Sequence, residues 1–318
     1  MKENQPGTAA LVTVGEALGS LASTEYGPLG HSRTLRLRTA GAEANVAIGV
    51  SRLGQTALWA GRVGSDPVGD LIIRELSAEG VQVHVARDDA PTALMLKERR
   101  TSELTRVHYW RERSAGSSLS EKDVPEAEIE AAGVVHLTGV TAALGDTARR
   151  ALWKAIEVAR GHNVPLSFDI NFRSRLWSDS EAAPILRDLV KHADILFAGE
   201  DEAALLTDES GPDAIRELSR LGPTTVVLKR GAQGSSALVD GRSFEVPVLP
   251  VRVVDAVGAG DAFAAGYLAG TLHGWPARQR LEVAAVLGSV AVSTEGDWEG
   301  LPHLEELASF RELDVVQR

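Results

Sequence analysis

Asp255-Ala256-Val257-Gly258-Ala259-Gly260-Asp261-Ala262-Phe263 is the stretch that decides how this chain is read. An apolar, β-branched run, Phe244 to Val254, leads into it, and a helix-like run, Ala262 to Leu272, leads out. Glycine has no Cβ, so its backbone N–H groups can approach a ligand closely. The first turn of a helix adds unpaired N–H groups and the positive end of the helix dipole. Strand, glycine turn and helix start therefore make an anion site suited to a phosphate. An aspartate is a poor phosphate ligand, so Asp261 reads as a base for a hydroxyl that attacks beside that phosphate. A plain tight turn is the competing reading. Phe263 stands where a dinucleotide fingerprint needs its third glycine, and the chain has no G-x-x-x-x-G-K-S/T phosphate loop.

Outward from this stretch, strand and helix patterns alternate. Strand candidates are Ala9–Val14, Leu58–Val63, Val134–Leu137, Val164–Phe168, Ile195–Phe197 and Thr225–Leu228. Helical spacing recurs over 41–54, Val68–Ala78, Asp146–Arg160 and Ser180–His192. This alternation predicts an α/β fold with parallel strands and crossover helices, whose ligands sit at the carboxyl ends of the strands. Thr34–Arg38, Thr92–Glu98 and Thr105–Arg111 predict a second, smaller sheet, with Tyr109, Arg111 and Arg113 on one face of its last strand.

Polar clusters follow the strands of the main sheet. In Asp169-Ile170-Asn171-Phe172-Arg173 an extended backbone would point Asp169, Asn171 and Arg173 the same way, with Arg173 able to clamp an anion. An Asp–Arg pair that pins the loop is the alternative. Lys229-x-Gly231-x-x-Gly234 is either a backbone platform for a flat ligand or a hairpin. Glu200 and Glu202 are either a site for water-coordinated Mg²⁺ or a solvated helix start. Gly41 brings backbone close to a neighbour, and Asn45 follows it in the first helical turn.

The 318 residues include 44% apolar side chains, enough for a substantial core. A net charge of −11 with scattered Lys and Arg excludes a basic nucleic-acid face. With no cysteine there is no disulfide framework or thiol chemistry. Met1 to Thr8 reads as short and polar rather than as a signal peptide, and no apolar run reaches membrane-spanning length. The expected compartment is the cytoplasm.

Gly41-Ala42-Glu43-Ala44-Asn45-Val46-Ala47 with Arg52-Leu53-Gly54 resembles the N-terminal signature of the ribokinase-like (PfkB) carbohydrate kinases. Asp255 to Phe263 resembles their C-terminal signature. Within that family the chain is most similar to 2-keto-3-deoxygluconate kinases, through Tyr109-Trp110-Arg111, Leu137-Thr138-Gly139-Val140, Asp169 to Arg173 with Leu176-Trp177, and Gly296-Asp297 with Gly300-Leu301-Pro302. The resemblance implies one ribokinase-like α/β domain over 1–318, with a β lid drawn from about 17–40 and 92–114. It implies ATP-dependent phosphorylation of the terminal hydroxyl of 2-keto-3-deoxygluconate, or its galactonate epimer, to the 6-phosphate.

Asp261 would be the base, and Gly258, Ala259 and Gly260 would stabilise the transferring phosphoryl group. Asn171, Lys229, Gly231 and Gly234 would lie along ATP, with Gly258 and Gly260. Gly41, Asn45, Tyr109, Arg111, Arg173 and Asp297 would hold the sugar acid. Mg²⁺ would be met by Glu202 through water, and a monovalent cation is allowed. The lid would pair two copies. Ala40, Ala256-Val257, Gly199 and Met95 depart from the family pattern; Met95 replaces an aromatic substrate contact and bears on the choice of substrate. The alternatives are a fructokinase or other neutral-sugar kinase, and a non-catalytic sugar-binding regulator on the same fold.

Overall fold

The computed structural model describes residues 8–101 and 104–312. Of the polar lead-in Met1–Thr8, only Thr8 falls within them. Thirteen strands in two sheets are present among the described residues. In chain order they are β1 (Leu11–Val14), β2 (Leu18–Ser23), β3 (Leu35–Ala40), β4 (Ala57–Gly64), β5 (Gln82–Asp88), β6 (Leu94–Arg99), β7 (Thr105–Trp110), β8 (Val134–Thr138), β9 (Leu166–Asp169), β10 (Ile195–Gly199), β11 (Thr225–Lys229), β12 (Ser235–Val239) and β13 (Arg242–Val246).

The main sheet has the order β13-β12-β11-β10-β9-β8-β1-β4-β5. Strands β5 to β11 in that row pair in parallel, as the alternation predicts, while β12 and β13 add an antiparallel edge. The small sheet, β3-β2-β6-β7, is antiparallel except for the β2–β6 pair.

Three strands escaped the sequence reading. β2 reads LGSLAS, β5 reads QVHVARD and β12 reads SSALV, short segments whose polar residues mask their alternation. The run Phe244–Val254 is a strand only as far as Val246. Pro247 and Pro250 lack the N–H that a ladder needs, so the segment after β13 leaves the sheet. It bonds instead to the helix Ala277–Val292, Leu249 N–H to Ser289 Oγ at 3.2 Å and Val254 N–H to Val292 O at 2.7 Å.

Helices cover both faces of the main sheet. On one face the sheet packs against Ala42–Arg52, Pro67–Ala78, Ala259–Leu272 and Ala277–Val292; on the other it packs against Asp146–Gly161, Asp179–Val190 and Gly211–Leu221. Their ends lie where local chemistry puts them. Asp66 Oδ1 accepts from the N–H groups of Val68 (3.0 Å) and Gly69 (2.9 Å) at one N-terminus. Ser178 and Glu181 form a capping box at another.

The helix Ala259–Leu272 is buried on nearly every side. Small residues make that possible: a Cβ on Gly266 would come within 2.9 Å of Ala284 Cα, and one on Gly49 within 2.6 Å of Ala265 Cβ. Close packing of this kind fixes the helix, and with it the loop at its N-terminus. No helix among the described residues is long and apolar enough to cross a membrane.

Candidate active site

The parallel strands β8, β9, β10 and β11 end at Thr138, Asp169, Gly199 and Lys229, and the helix Ala259–Leu272 starts beside those ends. A cleft of about 1200 Å³ opens there. Tyr109 and Met95 of the small sheet form one wall. Asn171, Arg173, Glu202 and Lys229 supply polar groups from the strand ends. Gly258, Ala259, Gly260 and Asp261 lie along the cleft, and Gly231 and Gly234 flank it. An apolar strip that sequence reasoning missed, Val248, Leu249, Ala285 and Val292, completes it. These residues belong to an irregular segment and a core helix, and nothing in their order marks them as a ligand wall.

Gly258 is the N-cap of the central helix, with φ of 84°. A side chain there would also lie 2.4 Å from Asp297 O, so glycine is required twice over. No side chain caps this helix. Its first-turn N–H groups have no intrahelical acceptor and face the cleft, an arrangement that receives an anion.

Asp261, in that same turn, is 8% exposed. Asn45 Nδ2 donates to its Oδ2 at 2.8 Å and Asn171 Nδ2 to its Oδ1 at 3.3 Å. Burial pushes the Asp261 carboxyl up to about 6; Asn45, Arg173 and Lys229 oppose the rise and Asp169 adds to it. Glu43, which accepts from Thr138 and Thr141, is pushed to about 7, chiefly by burial and in small part by Asp261. A base with a raised pKa is protonated, and idle, at mildly acid pH. Turnover is therefore expected to fall tenfold per pH unit below about 6 and to level off above it. A kcat/KM profile without that inflection would remove Asp261 from the proton transfer.

Asn171 has φ of 40°, a left-handed conformation that asparagine tolerates. This corrects the expectation that Asp169, Asn171 and Arg173 share a face. Asp169 turns instead to Lys229, whose Nζ donates to Oδ1 at 2.9 Å and Oδ2 at 2.7 Å. Asn171 turns to Asp261. Arg173 lines the cleft, donates to Phe172 O at 3.2 Å, and forms no ion pair among the described residues, its charge reaching Asp261 only through space. The Asp169–Arg173 pair is absent, and Lys229, at the end of β11, engages both oxygens of the buried carboxylate.

Arg111 does not line the cleft. Its guanidinium pairs with Glu16, a buried carboxylate just after β1, and lies 5.0 Å from the centre of the Tyr109 ring. A buried carboxylate left without a cation would be costly, so Glu16 claims Arg111. The strand β7 ends at Trp110 and Arg113 has φ of 56°, so Arg113 leaves the face of Tyr109.

Asp297 is likewise engaged, bonded to Lys97 Nζ at 2.5 Å. Gly41 opens the helix Ala42–Arg52 with φ of 150°, and a Cβ there would lie 2.5 Å from Glu16 O. Gly41 thus seats the helix that aims Asn45.

The hairpin reading of 229–234 holds: Lys229 pairs with Ser235 across the antiparallel β11–β12 turn. A Cβ on Gly234 would lie 2.2 Å from Val246 O, so this glycine serves the turn as well as the cleft. Glu202 accepts from Phe172 N–H (2.8 Å) and Gly199 N–H (2.6 Å), fixing two cleft loops together. A carboxylate so engaged meets a hard cation more readily through water than directly.

A family model described as pfkB family carbohydrate kinase matches residues 8–304. The chain is 35% identical over 311 residues to a 2-dehydro-3-deoxygluconokinase of Bacillus subtilis, covering 94% of each. It is 33% identical over 295 residues to a 2-dehydro-3-deoxygalactonokinase of Haloferax volcanii, covering 91% of this chain and 93% of that one. A crystal structure titled as a putative ribokinase II from E. coli, in complex with ATP and Mg²⁺, superposes with a TM-score of 0.88 at 27% identity, covering 96% and 99% of the two chains.

Proposed function

Because the chain belongs to the pfkB family of carbohydrate kinases, we propose that it transfers the γ-phosphoryl group of ATP to the terminal hydroxyl of 2-keto-3-deoxygluconate, or its galactonate epimer, giving the 6-phosphate. The observation that carries this reading is Arg173. It is a cleft-lining guanidinium that forms no ion pair among the described residues, in the same cleft as a buried aspartate and an uncapped helix. A carboxylate at one end of a substrate suits Arg173. A hydroxyl at the other end would then lie beside Asp261. The names of the relatives from B. subtilis and H. volcanii support the same substrate class.

In this reading Asp261 takes the hydroxyl proton, and the N–H groups at Gly258–Gly260 stabilise the charge on the transferring group. Asn45 Oδ1 is buried without a hydrogen-bond partner, which suits a hydroxyl donor from the sugar. The nucleotide would lie along Gly231–Gly234 and the apolar strip, near Asn171 and Lys229. Mg²⁺, bound with the nucleotide phosphates and reached by Glu202 through water, would neutralise their charge. A monovalent cation would compete with Lys97 for Asp255 and Asp297, the acidic pair nearest the anion loop, so the proposal includes none. The small sheet acts as a lid. Arg111 steadies Tyr109 rather than holding the acid directly. Leu35, Leu37 and Trp110 are exposed on the outer face of the lid, and that face would pair two copies. The proposed compartment is the cytoplasm.

The test is a coupled ADP-release assay over 2-keto-3-deoxygluconate, its galactonate epimer and fructose. Arg173→Leu is expected to raise KM for the keto acid about 10–100-fold, the worth of a charged hydrogen bond of about 1.5–3 kcal/mol, while leaving any turnover of fructose unaltered. A wild-type preference for fructose would overturn the acid assignment.

A further inference from the structure

The inner face of the lid carries a row of cations. In register across the small sheet, Arg38 lies with Ser20, Met95 and Tyr109, and Arg36 with Ala22, Lys97 and Val107. Arg36 and Arg99 pair with Glu295 at 2.8 and 2.7 Å, and Arg38 with Glu299 at 3.2 Å. These contacts are at least partly open to solvent. Lys97 differs: its side chain is 3% exposed, and its ammonium bridges Asp297 Oδ1 (2.5 Å) and Asp255 Oδ2 (3.2 Å).

Both carboxylates belong to the surroundings of the anion loop. Asp255 Oδ1 accepts from Val257 N–H at 3.1 Å, which shapes the turn just before Gly258. The backbone of Asp297 packs against Gly258, its carbonyl oxygen 2.4 Å from where a Cβ would stand. One ammonium from the lid therefore ties together the segment that enters the loop and the segment it rests on.

We propose that Lys97 is a positioning residue: from the lid, it holds Gly258–Gly260 in the shape that receives the phosphoryl group. It does not line the cleft, and it acts through Asp255 and Asp297. Burial opposes its charge, but the two carboxylates outweigh burial and raise its pKa, so the ammonium persists through neutral pH. The inference rests on the kinase reading of the cleft. It deepens that reading by making the geometry of the catalytic loop depend on a residue of the lid.

The experiment compares wild type, Lys97→Met, Lys97→Arg and Lys97→Ala at saturating ATP and keto acid. A small displacement of the loop costs rate rather than affinity, so Lys97→Met is expected to lower kcat about 10–100-fold with KM for the keto acid little changed. Lys97→Arg should recover most of the loss, and methylammonium, but not tetramethylammonium, should restore rate to Lys97→Ala. Should Lys97→Met fail to fold, Lys97→Met/Asp297→Asn removes the more deeply buried of the two carboxylates left without a cation and is expected to show the same kcat deficit. A kcat within about twofold of wild type in either variant, or an arginine variant no better than methionine, overturns the proposal. Wild-type turnover is measured first, so that a failure of the kinase reading is seen apart from a failure of the Lys97 role.

Discussion

Asp261→Asn is expected to lower kcat about 10²–10⁴-fold, the usual weight of a positioned general base, while ATP still binds. Asparagine keeps the shape and loses the basic oxygen. The fold should survive the change. Asn45 and Asn171 now donate to the two carboxylate oxygens, and the unpartnered Oδ1 of Asn45 offers an acceptor for the new amide once Asn45 turns over. The sign of the stability effect is opposite to that of the activity effect. Burial holds the Asp261 carboxyl near 6, above its ordinary 3.8, so its contribution is fully favourable below about 3.8 and is lost as pH rises through 6. At pH 8 the neutral variant should therefore melt no lower than wild type. Single-turnover assays, calorimetric titration with ATP and a thermal melt separate these readouts. A variant that turns over at the wild-type rate would exclude Asp261 as the base.

Lys229→Met is expected to destabilise the protein by about 3–5 kcal/mol, because it strands a buried carboxylate. Asp169 is 1% exposed, and both its oxygens accept from Lys229 Nζ. Lys229 also stands against the Gly258–Gly260 loop, 3.3 Å from where a Cβ on Gly260 would lie. Activity should fall with stability in the single variant. Asp169→Asn/Lys229→Met, which removes both charges, should recover most of the stability and little of the activity. Urea titration reads the first and ADP release the second. A single variant that loses less than about 1 kcal/mol would show the pair to be solvent-screened rather than buried.

What was legible in the sequence was local. The proposed anion loop and its proposed base lie within Gly258–Asp261, where a turn and the first helical residues fix backbone direction over a few residues. The alternation from Val134 onward set the parallel sheet, and the helical run 41–54 closed at Gly54, whose φ of 80° follows the end of the helix Ala42–Arg52. The resemblance of 41–54 and 255–263 to two family signatures set the order of the elements between them. The strands β2, β5 and β12 were lost because polar residues interrupt their period.

The partner of each charge was decided by the tertiary structure alone. Arg111 and Arg173 look equivalent in the sequence, both following a strand. Yet Arg111 is taken by Glu16, 95 residues away, and Arg173 is left to the cleft. Lys229 and Asp169 meet across 60 residues, and Lys97 joins Asp255 and Asp297 across 158 and 200. Hydrophobic period and glycine turns act between neighbours in the chain, so a sequence displays them. Coulomb attraction and desolvation act between neighbours in space, and which charges are neighbours is known only after the sheets have formed and buried them.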